Sequence, residues 1–185
     1  MNKELRAKKC KGCGEKFTPA RPLQVACSPN CAYTVARANG AKKVRKEYRE
    51  AKERIKTRSQ WLKEAQISFN AYIRSRDAGN ACISCCSHTG KQNAGHYRSV
   101  GSAPELRFNE LNCHLQCEKC NSWLSGNAIA YRISLIEKIG IEAVSWLEGK
   151  HEPLHLTIDD IKEIKTRYTR LTRELTNAIR CQDIP

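Results

Sequence analysis

Cys82-Ile83-Ser84-Cys85, then Asn93-Ala94-Gly95-His96-Tyr97, then Asn112-Cys113-His114-Leu115-Gln116-Cys117-Glu118-Lys119-Cys120-Asn121: these three stretches decide how the chain is read. Two C-x2-C knuckles suit tetrahedral zinc, because each short loop presents two sulfurs at the right separation with backbone N–H groups nearby. Cys82, Cys85, Cys117 and Cys120 are therefore expected to hold one Zn2+, with Cys86 as the alternative to Cys85. The 31 residues between Cys85 and Cys117 exceed what a simple ribbon needs, so something functional is expected there. From Leu106 to Leu115 the pattern alternates. Leu111, Cys113 and Leu115 fall on one face and Asn112 and His114 on the other, which predicts a half-buried strand with a polar working face. The order is knuckle, His-bearing strand, loop, Asn-bearing strand, knuckle, helix.

Upstream, Cys10-x2-Cys13 and Cys27-x3-Cys31 form a second candidate four-thiolate site. Pro19, Pro22 and Pro29 discourage helix between the pairs, and a segment this short needs a metal for its folding energy. From Val35 to Arg58 the residues are helix formers, strongly basic and almost without an apolar stripe. Lys42, Lys43, Arg45, Lys46, Arg49, Lys52, Arg54, Lys56 and Arg58 are the candidate DNA-contacting side chains; the alternative is a charged linker helix that touches nothing.

A helix is predicted over 59–76, with Trp61, Leu62, Ala65, Phe69, Tyr72 and Ile73 as its apolar face, ended by turn residues Asp77 to Asn80. Ala128 to Ile139 reads as a helix stopped by Gly140, with a short helix behind it. A last helix starts near Thr157, which can form a capping box with Asp160. Its stripe of Ile158, Ile161, Ile164, Tyr168, Leu171, Leu175 and Ile179 is assigned to packing. His88, His151 and His155 read as surface or packing residues, and Cys181 as a plain thiol. The expected domains are a zinc finger over 1–34, a basic helical linker over 35–58 and a module with flanking helices over 59–185. That is a small, zinc-stabilised α+β protein.

The chain has 185 residues and a formal charge of +14. Residues 1–80 hold 20 Lys and Arg against 7 Asp and Glu, whereas residues 81–185 hold 13 against 12. Segregated positive charge points to a polyanion, because neutralising phosphates releases condensed counterions. Eleven cysteines, an odd number arranged in tight pairs, argue against a secreted disulfide scaffold and for a reducing cytoplasm. No apolar run is long enough for a bilayer and the N-terminus lacks a signal-peptide stretch, so a membrane is not an expected partner.

On His96, Asn112 and Asn121 and the knuckles that bracket them, the sequence resembles the HNH (ββα-metal) endonucleases. Over most of its length it resembles the NinG/Rap family of lambdoid phages, through AGHY, LRFNELN, QCEKCN and SGN, with WLKEAQISFNAYIRSRD ahead and RISLIEKIGIEAV behind. The resemblance implies a ββα-metal nuclease module wrapped by C-terminal helices. In that module His96 would be the general base, Asn112 would orient it and Asn121 would bind a catalytic Mg2+ or Mn2+. Imidazole suits the first role because its ordinary pKa of ~6.5 leaves base form available near neutrality. The implied substrate is branched double-stranded DNA, a Holliday junction or D-loop, in phage recombination within the host cytoplasm, with other recombination proteins as further partners. Cutting two strands of a junction would suit a homodimer, although no long heptad seam marks one.

The sequence departs from the pattern at Asn93 and Gly95, where relatives often carry an acid. A neutral amide holds a hard cation less well than a carboxylate, which makes His114, and after it Glu110 or Glu118, the substitute ligands to consider. Two alternatives stand beside the nuclease: a non-catalytic zinc-dependent DNA-binding accessory protein, and an RNA-binding factor. The second is disfavoured because only 6% of residues are aromatic, too few for stacking platforms.

Overall fold

The computed structural model describes residues 5–182, the side chains of 179–182 excepted, so the Ile179 and Cys181 side chains lie outside the described residues. The protein is mostly helical with two small sheets, and it divides into one unit ending at Lys56 and another beginning at Thr57.

In the first unit, β1 (Lys8–Lys9) and β2 (Lys16–Phe17) pair antiparallel, Lys8 opposite Phe17. Helix α1 runs Pro29–Arg54 and buries none of its residues. It begins six residues ahead of the predicted Val35 because Ser28 and Pro29 form a helix start. The Ser28 hydroxyl accepts from the Cys31 N–H at 3.2 Å, and Pro29 occupies the first turn, where its missing N–H costs nothing. Cys31 therefore sits on the helix. The same helix stops at Arg54 rather than Arg58, since Thr57 already caps the next one.

The second unit opens with α2 (Arg58–Arg76), where Thr57 and Gln60 form a reciprocal capping box. Trp61, Ala65, Phe69 and Ile73 are buried, the centre of the predicted face. Helix α5 (Ile158–Gln182) packs along α2. Ile161 meets Trp61 and Ala65, while Tyr168 meets Phe69 and Ile73. Strands β3 (Gln92–His96) and β4 (Cys113–Cys117) form an antiparallel hairpin in which His96 faces Cys113, Gly95 faces His114 and Asn93 faces Gln116. One side of the hairpin packs on the α2 and α5 layer through Ala94 and Cys113. The other meets α3 (Ala128–Ile139), whose Tyr131 hydroxyl donates to the Gly95 carbonyl at 2.9 Å. Behind it, Tyr131 and Leu135 pack with Val144 and Leu147 of α4 (Ile141–Glu148).

Helices on both sides explain a correction to the predicted strand. All five residues of β4 are buried, so it has no half-exposed polar working face. It is also shorter than the alternation suggested. Pro104–Leu106 and Glu110–Asn112 form single 3-10 turns, the second started by the Asn109 side chain accepting from the Leu111 N–H at 2.9 Å.

Candidate functional site

The two sulfur quartets are built as read. Cys10, Cys13, Cys27 and Cys31 form one group and Cys82, Cys85, Cys117 and Cys120 the other, with the ligand atoms of each within 4.8 Å of one another. Sulfur separations of 3.6 Å for Cys13 to Cys27 and 3.7 Å for Cys27 to Cys31 and for Cys85 to Cys117 match a zinc tetrahedron. Its edge is about 3.8 Å for a Zn–S distance of ~2.3 Å. Backbone N–H groups point at the sulfurs, as from Gly12 and Cys27 to Cys10 at 3.3 and 3.4 Å. Those of Cys13, Cys27 and Gly12 lower the Cys10 thiol to about 6. At Cys82, burial pushes the thiol up, but N–H groups of Cys117, Cys85 and Ser84 outweigh it and bring it down to about 7. Cys27 goes the other way, to about 12, because it holds a proton among Cys13, Cys10 and Cys31. The first thiolate forms readily and the next is resisted, as expected of a cluster that needs a cation to carry its full charge. The donor sets fit two zinc ions. Cys86 is exposed, with φ of 55°, and takes no part; its N–H closes the knuckle on the Cys82 carbonyl at 2.9 Å.

Between the knuckles, His96 ends β3. Its Nε2–H donates to the Arg107 carbonyl at 3.0 Å, which leaves Nδ1 as the nitrogen with the lone pair, 3.7 Å from the Cys113 sulfur. Burial keeps this imidazole below its ordinary pKa. Asn112 is fully buried. Its Oδ1 accepts from the Arg98 N–H at 2.8 Å, and its Nδ2 donates to the carbonyls of Arg98 at 3.0 Å and Leu106 at 3.3 Å. It thus closes the loop that follows His96, and makes no hydrogen bond to the imidazole itself. Asn121 lies half-buried in the π-helical turn Lys119–Trp123 and shares no hydrogen bond with His96 or Asn112.

The substitute cation ligands are engaged elsewhere. His114 Nε2–H donates to the Leu111 carbonyl at 3.1 Å and its Nδ1 faces the Arg76 guanidinium at 3.1 Å, which makes Nδ1 the acceptor. Burial holds it below the ordinary imidazole range, so it stays neutral. Glu110 accepts from the hydroxyls of Tyr72 at 2.9 Å and Tyr168 at 3.2 Å, and Glu118 pairs with Lys91 at 2.8 Å. Among the described residues, no third group of His, Cys, Asp and Glu is arranged to hold a metal.

Two residues carry more than the sequence suggested. Asp77, read as a turn residue, is buried. It accepts two hydrogen bonds from Arg76 at 2.8 Å and one from the Leu115 N–H at 3.0 Å, pinning β4 to the end of α2. Burial pushes its carboxyl up, but the Arg76 guanidinium bound to both its oxygens prevails and holds it well below the usual carboxylate range. Gly95 is required by Gln116, since a Cβ at 95 would lie 2.1 Å from the Gln116 Oε1. The room an acid would need at this position is filled by a buried amide whose Nε2 donates to the Ser84 hydroxyl at 2.7 Å and the Gly126 carbonyl at 2.6 Å. Gly95→Ala should therefore destabilise the protein by ~1–3 kcal/mol, the usual cost of overpacking. Thermal melting would read this, and an unchanged midpoint would show that Gln116 moves aside freely.

The sequence matches, over residues 2–178, the family described as Bacteriophage Lambda NinG protein. The chain belongs to the NinG family. It is 41% identical to protein ninG of Escherichia phage lambda over an alignment of 192 residues, covering 92% of this chain and 94% of that one. To protein ninG of Salmonella phage P22 it is 40% identical, with 92% and 95% covered, and to that of Escherichia phage 933W 40%, with 92% and 94% covered. No solved structure matches the chain. Among the described residues, no helix is long and apolar enough to cross a membrane.

Proposed function

We propose that this NinG-family protein is an endonuclease that hydrolyses phosphodiester bonds in branched recombination intermediates, with His96 as the general base. The observation that carries the reading is the fixed tautomer of His96. With Nε2–H committed to the Arg107 carbonyl, the basic nitrogen is Nδ1, and burial keeps it unprotonated at neutral pH. His96 stands at the strand end, beside a loop closed by Asn112, between two zinc knuckles and ahead of a helix. On leaving its 3.7 Å contact with the buried Cys113 thiol, Nδ1 would take a proton from water as the hydroxide attacks phosphorus; the bond to the leaving oxygen breaks and that oxygen is protonated from solvent.

Such chemistry ordinarily uses Mg2+ or Mn2+ to stabilise the leaving oxygen. The described residues do not by themselves make that site, because Asn121 is the one expected ligand whose side chain is uncommitted and it is neutral. This same shortage favours a second reading, a zinc-dependent DNA-binding accessory protein that does not cut. Incubating the protein with linear, forked and four-way DNA, with and without Mg2+ or Mn2+, separates the two. Divalent-dependent cutting of branched DNA supports the nuclease; binding without cutting under every condition supports the accessory protein.

Both readings place DNA on α1. Lys43 and Lys46 sit 3.9 and 3.8 Å from Glu47 and Glu50, so their charge is partly answered within the helix, as is that of Lys56 by Glu53 at 2.6 Å. Lys42, Arg45, Arg49 and Lys52 recur every three or four residues along one groove, which Lys46 also lines, and these four carry no ion pair among the described residues. Replacing these four by alanine should lower the slope of log affinity against log salt by about 3.6, at ~0.9 per phosphate contact. Replacing Lys43, which lies outside that groove and is paired with Glu47, should change it less. A loss from Lys43 equal to the per-residue loss from the four, in a fluorescence anisotropy salt titration, would show that the stripe is not the DNA face.

A further inference from the structure

An open groove on the second unit is lined by Ser59, Leu62, Lys63, Gln66, Ile67 and Asn70 of α2 and by Arg107 from the loop ahead of β4. Arg107 is half-buried, and its Nε is shut off from solvent without a hydrogen-bond partner. It has no ion pair among the described residues. The charge acting on it is another cation, Arg58, and with burial the larger cause this pushes the guanidinium below its ordinary pKa. Lys63 in the same groove likewise has no ion pair among the described residues. Withdrawing a cation from water beside a like charge is costly unless an opposite charge arrives. A guanidinium fork matches a phosphate better than any other common anion except a carboxylate. The backbone carbonyl of this residue accepts the His96 Nε2–H at 3.0 Å, so the groove and the imidazole meet at one residue.

We propose that Arg107, with Lys63 beside it, seats a phosphate of the DNA backbone next to His96. The proposal rests on the DNA reading above but not on cleavage. It makes Arg107 a binding residue whose side chain is poorly satisfied in the free protein and paired in the complex.

The test is Arg107→Met in the full chain, with Lys63→Ala as a second variant, studied by anisotropy on four-way DNA across a salt series without added divalent cation. For each variant we expect affinity to fall several-fold and the log–log salt slope to shrink by about 0.9. Zinc content should be unchanged, and the Arg107→Met melting midpoint should be equal to or above that of the parent, since an unpaired buried cation has been removed. A residue with a merely structural role would give the opposite stability result. Undiminished affinity and slope in both variants, or a lowered midpoint with intact DNA affinity in Arg107→Met, would overturn the proposal. A parent that binds no DNA would sink the proposal and the DNA reading together, whereas a parent that binds but never cuts sinks the nuclease reading and leaves Arg107 standing.

Discussion

Cys117→Ala should halve the zinc content of the protein and abolish the cooperative melting of the unit that begins at Thr57. Cys117 closes β4 opposite Gln92, and its sulfur lies 3.7 Å from that of Cys85. The knuckle it completes is knitted into the hairpin, because the Ile83 N–H donates to the Leu115 carbonyl at 3.0 Å. Removing one ligand therefore releases the 82–85 loop and the turn that leads to α3. Structural zinc contributes ~10–16 kcal/mol in small metal-folded domains, which equals or exceeds the ~5–15 kcal/mol total stability of a typical domain. The α2–α5 pair can retain helix without the metal, so helical circular dichroism should persist in part while the sharp transition is lost. Cys86→Ala is the control and should melt like the parent, because that thiol is exposed and outside the quartet. Two zinc ions per chain and an unchanged melt in Cys117→Ala would remove the metal from the account of this fold.

The sequence revealed the parts of this architecture that rest on strong local chemistry. Both sulfur quartets followed from cysteine spacing, and the buried face of α2 followed from Trp61, Ala65, Phe69 and Ile73 recurring at four-residue intervals. The start of α1 lies ahead of the expected Val35 although its signal is in the sequence: Ser28-Pro29 is a helix cap, because proline in the first turn starts a helix rather than breaking it. The nature of β4 was not legible, because a polar alternation of Asn112, His114 and Gln116 looks solvent-facing until a second layer of helix covers it. Asn112 meets loop backbone, His114 meets Arg76 and the Leu111 carbonyl, and Gln116 meets Ser84 and Gly126. Such partners lie 3 to 38 positions away in sequence, and no period announces them. Gly95 stands in the sequence as the place of a missing acid, but its reason, the Gln116 amide, lies on the partner strand and emerges only from the register.

His96→Ala should lower the rate of branched-DNA cleavage by ~10²–10⁴, the usual contribution of a general base, while leaving both zinc ions bound. Its imidazole is held by the Arg107 carbonyl at 3.0 Å and by the Cys113 thiol at 3.7 Å, neither a member of a sulfur quartet, so its loss leaves both quartets intact. DNA affinity should change little, since the residue is half-buried and neutral. The pH profile tests the role separately from the fold. A base acts in its unprotonated form, and burial lowers the folded pKa, so cleavage by the parent should hold its plateau through neutrality. It should decline only as the pH falls below the ordinary imidazole range of ~6.5. A residual rate in His96→Ala that climbs with pH without reaching that plateau would reflect attack by solvent hydroxide. His114→Ala distinguishes position from residue type. That imidazole is bound on both nitrogens inside the hairpin, so its loss should lower the melting midpoint, with activity falling only in proportion to the unfolded fraction. Parent-rate cleavage by His96→Ala would strip this residue of its role, and a base would then have to be sought among side chains outside the hairpin.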